Sequence, residues 1–221
     1  MFERLKNAFG ARSSADGADD GLVQWAHERL LSHMPLIGGA YAMGGRLLDR
    51  PFRAECIASS RAYIQGLELM AKADLGVTPE VNVIVMNRAL KRSLEALANG
   101  LYAEVTDTLQ TTAKALPEEV RWLSMYRDAG WPGPVDEFWG RYAVLTDAPE
   151  MARHWLDSAS VSMLMDWPTE PEGDVPRLFM LTRGKTYLRM QVGKSGDHTT
   201  ALHALDIFEH LSGRAVQLLE H

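Results

Sequence analysis

The sequence predicts a helix-dominated α+β protein, with a small antiparallel or mixed sheet that includes a C-terminal β-hairpin and is packed by about six to eight helices. Three observations point there. Apolar residues recur at steps of three and four through most of the chain. Two strand-like runs, residues 177–182 and 186–192, flank Arg183-Gly184-Lys185. Length and composition are those of a water-soluble protein: 221 residues, 46% hydrophobic and 24% charged. A chain of that size buries enough apolar surface to need no disulfide or structural metal.

The elements follow in chain order. Phe2, Leu5 and Phe9 are spaced for a short amphipathic helix, and residues 10–21 are small, polar and rich in turn formers. The expected division is therefore 1–21, a short helix and flexible linker, and 22–221, one globular domain. Asp19 or Asp20 can cap a helix over about 22–34, closed by Pro35. Residues 52–57 alternate apolar and polar like a strand. Ser59 or Ser60 then begins a helix to about Leu75, with Ile64, Leu67 and Ala71 inward.

Residues 78–115 admit two readings. Thr78-Pro79-Glu80 looks like a helix start, and Val83, Met86, Leu90, Leu94, Leu97, Leu101, Val105 and Leu109 form a helical stripe. The β-branched run 81–86 reads equally as a buried strand, with a helix beginning at Asn87. The second reading gives the later hairpin something to pair with. Further helices are expected over about 117–130, 135–145 and 147–163. An extended, acidic connection follows at 168–176, and a last helix spans about 199–219. With Thr182 opposite Thr186, both faces of the hairpin are apolar, so both need covering.

Net charge is −6 and unevenly spread. Residues 116–176 hold 4 bases and 12 acids, whereas 177–196 hold five bases and no acid. The overall sign disfavours nucleic acid as a whole-protein partner without excluding a local basic contact. The lone cysteine, Cys56, and the mixed charge of residues 1–6 fit a cytoplasmic protein without a signal peptide. No stretch is long and apolar enough to span a bilayer.

The familiar catalytic signatures fail at named positions. Gly39 and Gly44 have Walker spacing, but Gly45 and Arg46 stand where lysine and a hydroxyl are needed, so a turn or close packing fits better. No GxGxxG, HExxH or GxSxG occurs. His203 and His210 share a helix face two turns apart, about 10 Å, too far for one metal. Cys56 reads as a buried small hydrophobe. Glu118, Glu119, Asp147 and Glu150 suit helix starts. No catalytic, cofactor-binding or metal-ligating residue, and no cofactor, is assigned.

The remaining candidate is the basic hairpin: Arg177, Arg183, Lys185 and Arg189, interleaved with Phe179 and Tyr187. It suits a contact with phosphate or acidic protein. The same bases also protect strand edges, or face the protein's own acidic middle. The expected function is a protein–protein interaction or regulatory, inhibitory accessory module without catalysis, binding another protein or itself as a homodimer. Accessory proteins of bacterial mobile elements and secretion systems share this plain composition. Two alternatives stand beside it: a hydrolase whose carboxylates or histidines are assembled by the fold, and a nucleic-acid contact through the hairpin.

Overall fold

A computed structural model describes residues 20–77, 81–107, 118–168, 175–193 and 198–220. Their order is α1 (Asp20–Glu28), β1 (Ser32–Pro35), β2 (Tyr41–Leu47), β3 (Arg50–Ala58), β4 (Leu67–Asp74), β5 (Asn82–Asn87), α2 (Arg88–Asp107), α3 (Glu118–Met125), β6 (Arg127–Ala129), α4 (Asp136–Arg141), β7 (Tyr142–Thr146), α5 (Pro149–Trp155), α6 (Ser158–Met165), β8 (Arg177–Thr182), β9 (Lys185–Val192) and α7 (His198–Leu219). The readings of residues 2–9, the linker before Asp20, Thr78-Pro79-Glu80, Leu109 of the helical stripe and most of the acidic connection lie outside the described residues.

The expectation of a small sheet under dominant helices is overturned. Among the described residues, one nine-stranded sheet, antiparallel at every pairing, runs in the order β1-β2-β3-β4-β9-β8-β5-β7-β6. The β8–β9 hairpin lies near its middle and joins the β1–β4 meander to β5, β7 and β6. So the hairpin is covered on both sides by strands, β4 on one and β5 on the other.

Strand periodicity explains what each face buries. One cross-strand row is His33, Met43, Ala54, Ala71, Leu188, Phe179, Val85, Val144 and Ala129. Seven of these, Met43 through Val144, are buried in the larger core, which also takes in Trp25 of α1, Trp155 of α5 and Ala201, Ala204, Leu205 and Phe208 of α7. Alanines at 54, 71 and 73 leave room for α7 to lie close on β4 and β9. The opposite face has a smaller core, in which Ile84, Met86, Leu145, Leu178 and Met180 pack under Leu90 and Leu94 of α2 and Trp122 of α3.

Several expected helices are strands, for identifiable reasons. Residues 67–74 hold the helix formers Leu, Glu, Met, Ala and Lys. Yet Leu69, Ala71 and Ala73 alternate into the core, so packing overrides propensity. Ser59 caps no helix; its hydroxyl donates to Glu68 Oε2 at 2.7 Å and accepts from Arg61 N–H at 3.1 Å. The helix expected to reach residue 34 ends at Glu28, because Ser32–Pro35 pairs with β2. The one expected over 135–145 stops at Arg141, and residues 142–146, buried throughout, enter the sheet. The helix expected to run on to Gly130 ends at Met125, and residues 127–129 pair with β7. The segment 147–163 breaks into α5 and α6, where Asp157 accepts from Ser160 N–H at 2.8 Å as a fresh N-cap.

For residues 82–107 the strand-then-helix reading is the one the structure adopts. The hairpin register differs from the expected one. Thr182 faces Lys185, so the loop has two residues, Arg183 (φ 50) and Gly184 (φ 67). Both positive φ values match a type I′ turn, whose twist suits paired strands.

Candidate functional site

The second face of the sheet changes character along a single row. From β7 toward β2 it reads Leu145, Ile84, Met180, Tyr187, Lys72, Arg53 and Gly44. The first three lie under α2 and α3, Tyr187 packs against the edge of that cluster, and Lys72, Arg53 and Gly44 lie beyond the helices. A neighbouring row runs Ala143, Met86 and Leu178, then Arg189 at the edge of α3, then Met70, Glu55 and Ala42 beyond it. Helices therefore roof one part of this face, and β3, β4 and β9 form the floor of an open trough of about 490 Å³.

Floor and rim are chemically mixed. Pro51 and Met70 give apolar contact, and Tyr187 carries the Lys72 ammonium 5.8 Å from its ring centre. Arg53 pairs with Glu55 on its own strand, and Lys185 holds Asp74 at 3.0 Å. Four lining residues are basic, Arg53, Arg61, Lys72 and Arg189, against two acids, Glu55 and Asp74.

At the rim under α3 sits a buried ionic cluster. Glu119, the second residue of α3, accepts from Arg189 Nη1 at 2.7 Å, Arg61 Nε at 2.9 Å and the Tyr63 hydroxyl at 2.7 Å. Arg61 Nη1 also donates to both oxygens of Glu68, each at 2.8 Å. Glu68 is 1% and Glu119 5% exposed. Burial alone would raise the Glu119 pKa. Hydrogen bonds from Tyr63, the backbone and Arg61, with the charge of Arg189, outweigh it and hold the carboxyl below its usual range. Burial, then the charge of Glu119 and the hydrogen bond to it, pushes the Tyr63 hydroxyl far up. Glu119 is thereby held ionised and Tyr63 protonated at neutral pH, and the cluster clamps α3 to the sheet.

The hairpin residues do not form one surface. Lys185, Tyr187 and Arg189 belong to the open side of β9. Arg189 faces the acidic middle, taking Glu119 and also Glu118 at 3.5 Å. Arg183 is exposed at the turn. Phe179 and Arg177 lie on the other face, buried beneath helices. What sequence reasoning missed is β4 and the floor that it forms beside β3. The alternation of Arg53 and Glu55 with Ala54 was read as a strand over 52–57, which β3 contains, but that of Met70 and Lys72 with Ala71 and Ala73 was read as helix.

Other candidates resolve simply. Cys56 is buried, and burial pushes its thiol to about 11 against a partly opposing hydrogen bond with Tyr41. It is a protonated core side chain. Gly38 and Gly39 form an exposed turn, with φ 78 and 79. His203 Nε2 meets Met163 O at 2.8 Å and His210 Nε2 meets Asp157 Oδ1 at 3.5 Å, so the two serve different neighbours. Among the described residues no three His, Cys, Asp or Glu side chains are grouped to hold a metal ion. No described helix is long and apolar enough to cross a membrane.

The fold thus defines an α+β protein built on a wide antiparallel sheet, helix-covered on one face and partly open on the other. The sequence matches no protein-family model and no curated protein. A solved structure, that of the mycobacterial trehalose monomycolate transport factor A, TtfA, is similar at 10% identity and a TM-score of 0.47, over 90% of this chain and 94% of that one. At that distance the likeness carries no argument about this chain.

Proposed function

We propose that this chain is a cytoplasmic protein-binding module without a catalytic step of its own, and that it docks an acidic, extended segment of a partner protein in the open trough. The observation that carries the reading is the change along one cross-strand row, from Leu145, Ile84 and Met180 under helices, through Tyr187 at their edge, to Lys72 and Arg53 in the open. Charge argues for the occupant. Of the four bases along the lining, Arg61 and Arg189 are held by Glu68 and Glu119 and Arg53 by Glu55, which leaves Lys72 as the base that among the described residues has no ion-pair partner. Tyr187 and Met70 supply an aromatic and a flexible apolar contact of the kind that anchors interfaces. The two deeply buried carboxylates, Glu68 and Glu119, are tied up by guanidinium groups, which supports binding over acid–base chemistry.

The test is retention of partners from lysate, with solution mass, by wild type, Lys72→Glu, Arg53→Glu and the control Arg183→Glu at the hairpin turn. Loss of a retained protein with the two trough variants but not the control is expected. Identical retention by all four, a monomer retaining nothing, or retention abolished by nuclease would each overturn the reading.

A further inference from the structure

Strand β1 is an edge of the sheet. Met34, Pro35, Leu36 and Ile37 follow one another along it and into the turn toward β2, and all four are exposed. Met34 is 57%, Leu36 43% and Ile37 99% open to solvent. Four consecutive exposed apolar residues on a strand edge invite aggregation unless something covers them. Strand addition is a poor cover here. Pro35 has no N–H to offer, and Leu36 donates its own to Ala40 O at 2.8 Å. The occupant therefore packs side chains against the run instead of pairing its backbone with it.

The start of α1 lies at the same end of the molecule. Pro35 pairs with Tyr41, whose ring centre is 6.4 Å from that of His198, the first residue of α7. Gly21 backs onto Leu202, four residues further along α7; a Cβ on it would stand 3.0 Å from Leu202 Cδ1. Four residues of helix advance only about 6 Å. Residues 10–19 (GARSSADGAD), small and polar, lead into α1 and make a tether with a root-mean-square span of about 16–19 Å. Ahead of them, helical spacing puts Phe2, Leu5 and Phe9 on one face and Glu3, Arg4 and Asn7 on the other. So short a helix is marginal by itself in water, so the segment needs an apolar surface as much as the edge needs a cover. The tether holds the two at an effective concentration in about the millimolar range.

We propose that residues 2–9 of this chain fold back onto the 34–37 run and cap the β1 edge. Displacing the segment opens the edge, so the contact is a built-in guard against association through it. Strand β2 separates this edge from the floor of the trough, and the proposal does not depend on the function given to the trough.

The experiment uses the full chain carrying a nitroxide at Arg4→Cys, on the polar side of the segment. Cys56 stays, because its thiol is buried, and the parent chain treated with the same reagent is the control. Expected is paramagnetic broadening of the Met34, Leu36 and Ile37 amide resonances, unchanged on about tenfold dilution. Adding Phe2→Asp/Leu5→Asp/Phe9→Asp should abolish it and raise the fluorescence of anilinonaphthalenesulfonate roughly twofold or more. Leu36→Ser/Ile37→Ser on top of those changes should return the dye signal to the wild-type level. Absence of broadening would overturn the proposal whatever the other variants do, since it is read on the otherwise native sequence. A dye signal that the three aspartates leave unchanged would also overturn it. So would equal broadening in unlabelled ¹⁵N chain mixed with nitroxide-labelled ¹⁴N chain, which would make a second copy the occupant.

Discussion

Arg189 Nη1 and Glu119 Oε1 lie 2.7 Å apart, and that contact ties the middle of the sheet to the start of α3. The same oxygen accepts from Arg61 at 2.9 Å. Two guanidinium groups thus depend on one carboxylate, and Glu68 satisfies only Arg61. Glu119→Gln keeps the shape and removes the charge, leaving Arg189 with the longer contact to the half-exposed Glu118. Breaking a buried ion pair from one side costs about 3 kcal/mol. Urea unfolding of the variant is expected to show a loss of that order at unchanged m-value.

The same cluster sets both pH limits. The folded pKa of Glu119 is depressed, so its stabilisation is present above the unfolded value near 4.5 and is lost as pH falls through the lower folded value. Asp157 behaves likewise below 3.8: burial opposes the shift, but hydrogen bonds from Ser160 and His210 and the charge of Arg214 prevail. Tyr63 is raised, so its contribution is complete below pH 10.0 and declines above it. Unfolding midpoints should be level between about pH 5 and 9. The gap between wild type and Glu119→Gln should narrow steadily below pH 4.5.

Cys56 is a gauge of core integrity. A thiol near 11 instead of 9.0 carries about 100-fold less thiolate at pH 8. Burial at 1% exposure slows access further. Native protein should react with a disulfide reagent at least 100-fold more slowly than protein in denaturant. Equal rates would mean that β2 and β3 open readily.

How far the sequence announced this fold depends on what kind of signal each element carries. The hairpin was legible because Leu178 to Leu181 and Tyr187 to Val192 are good strand formers around a glycine turn, and Val83 to Met86 showed the same bias. Strand β4 was not, because Leu67 to Asp74 has helix-forming side chains and becomes a strand only through pairing with β3 and β9. Strand β7 follows α4 without a break, so Phe138 and Tyr142 look like one helical face. The trough was illegible for the same reason. It exists only once β3, β4 and β9 are neighbours, and residues 53, 72 and 187 carry no local sign of that.

The hairpin turn can be improved. Arg183 holds φ 50 on an exposed side chain, a conformation that asparagine tolerates better than arginine. Arg183→Asn should stabilise by about 0.5–1 kcal/mol, read as a rise in the urea midpoint. Substituting Gly184 by Ala should do the opposite, because φ 67 there disfavours a Cβ.

Thr186 of β9 and Ser212 of α7 share a hydrogen bond of 2.6 Å beneath 1% and 2% exposure. Ser212 spends its own proton on Phe208 O at 2.8 Å, so Thr186 is the donor between them. Ser212→Ala strands the Thr186 hydroxyl in the core and should cost about 2 kcal/mol. Thr186→Val removes a donor but leaves Ser212 bonded to Phe208, and should cost about 1 kcal/mol or less. The double variant leaves no polar group unpaired at this point and should be more stable than Ser212→Ala alone. A coupling energy above about 1 kcal/mol in that cycle would establish the hydroxyl pair as a joint between α7 and the centre of the sheet. Strict additivity would show that α7 is held there by Phe208 and Leu211 alone.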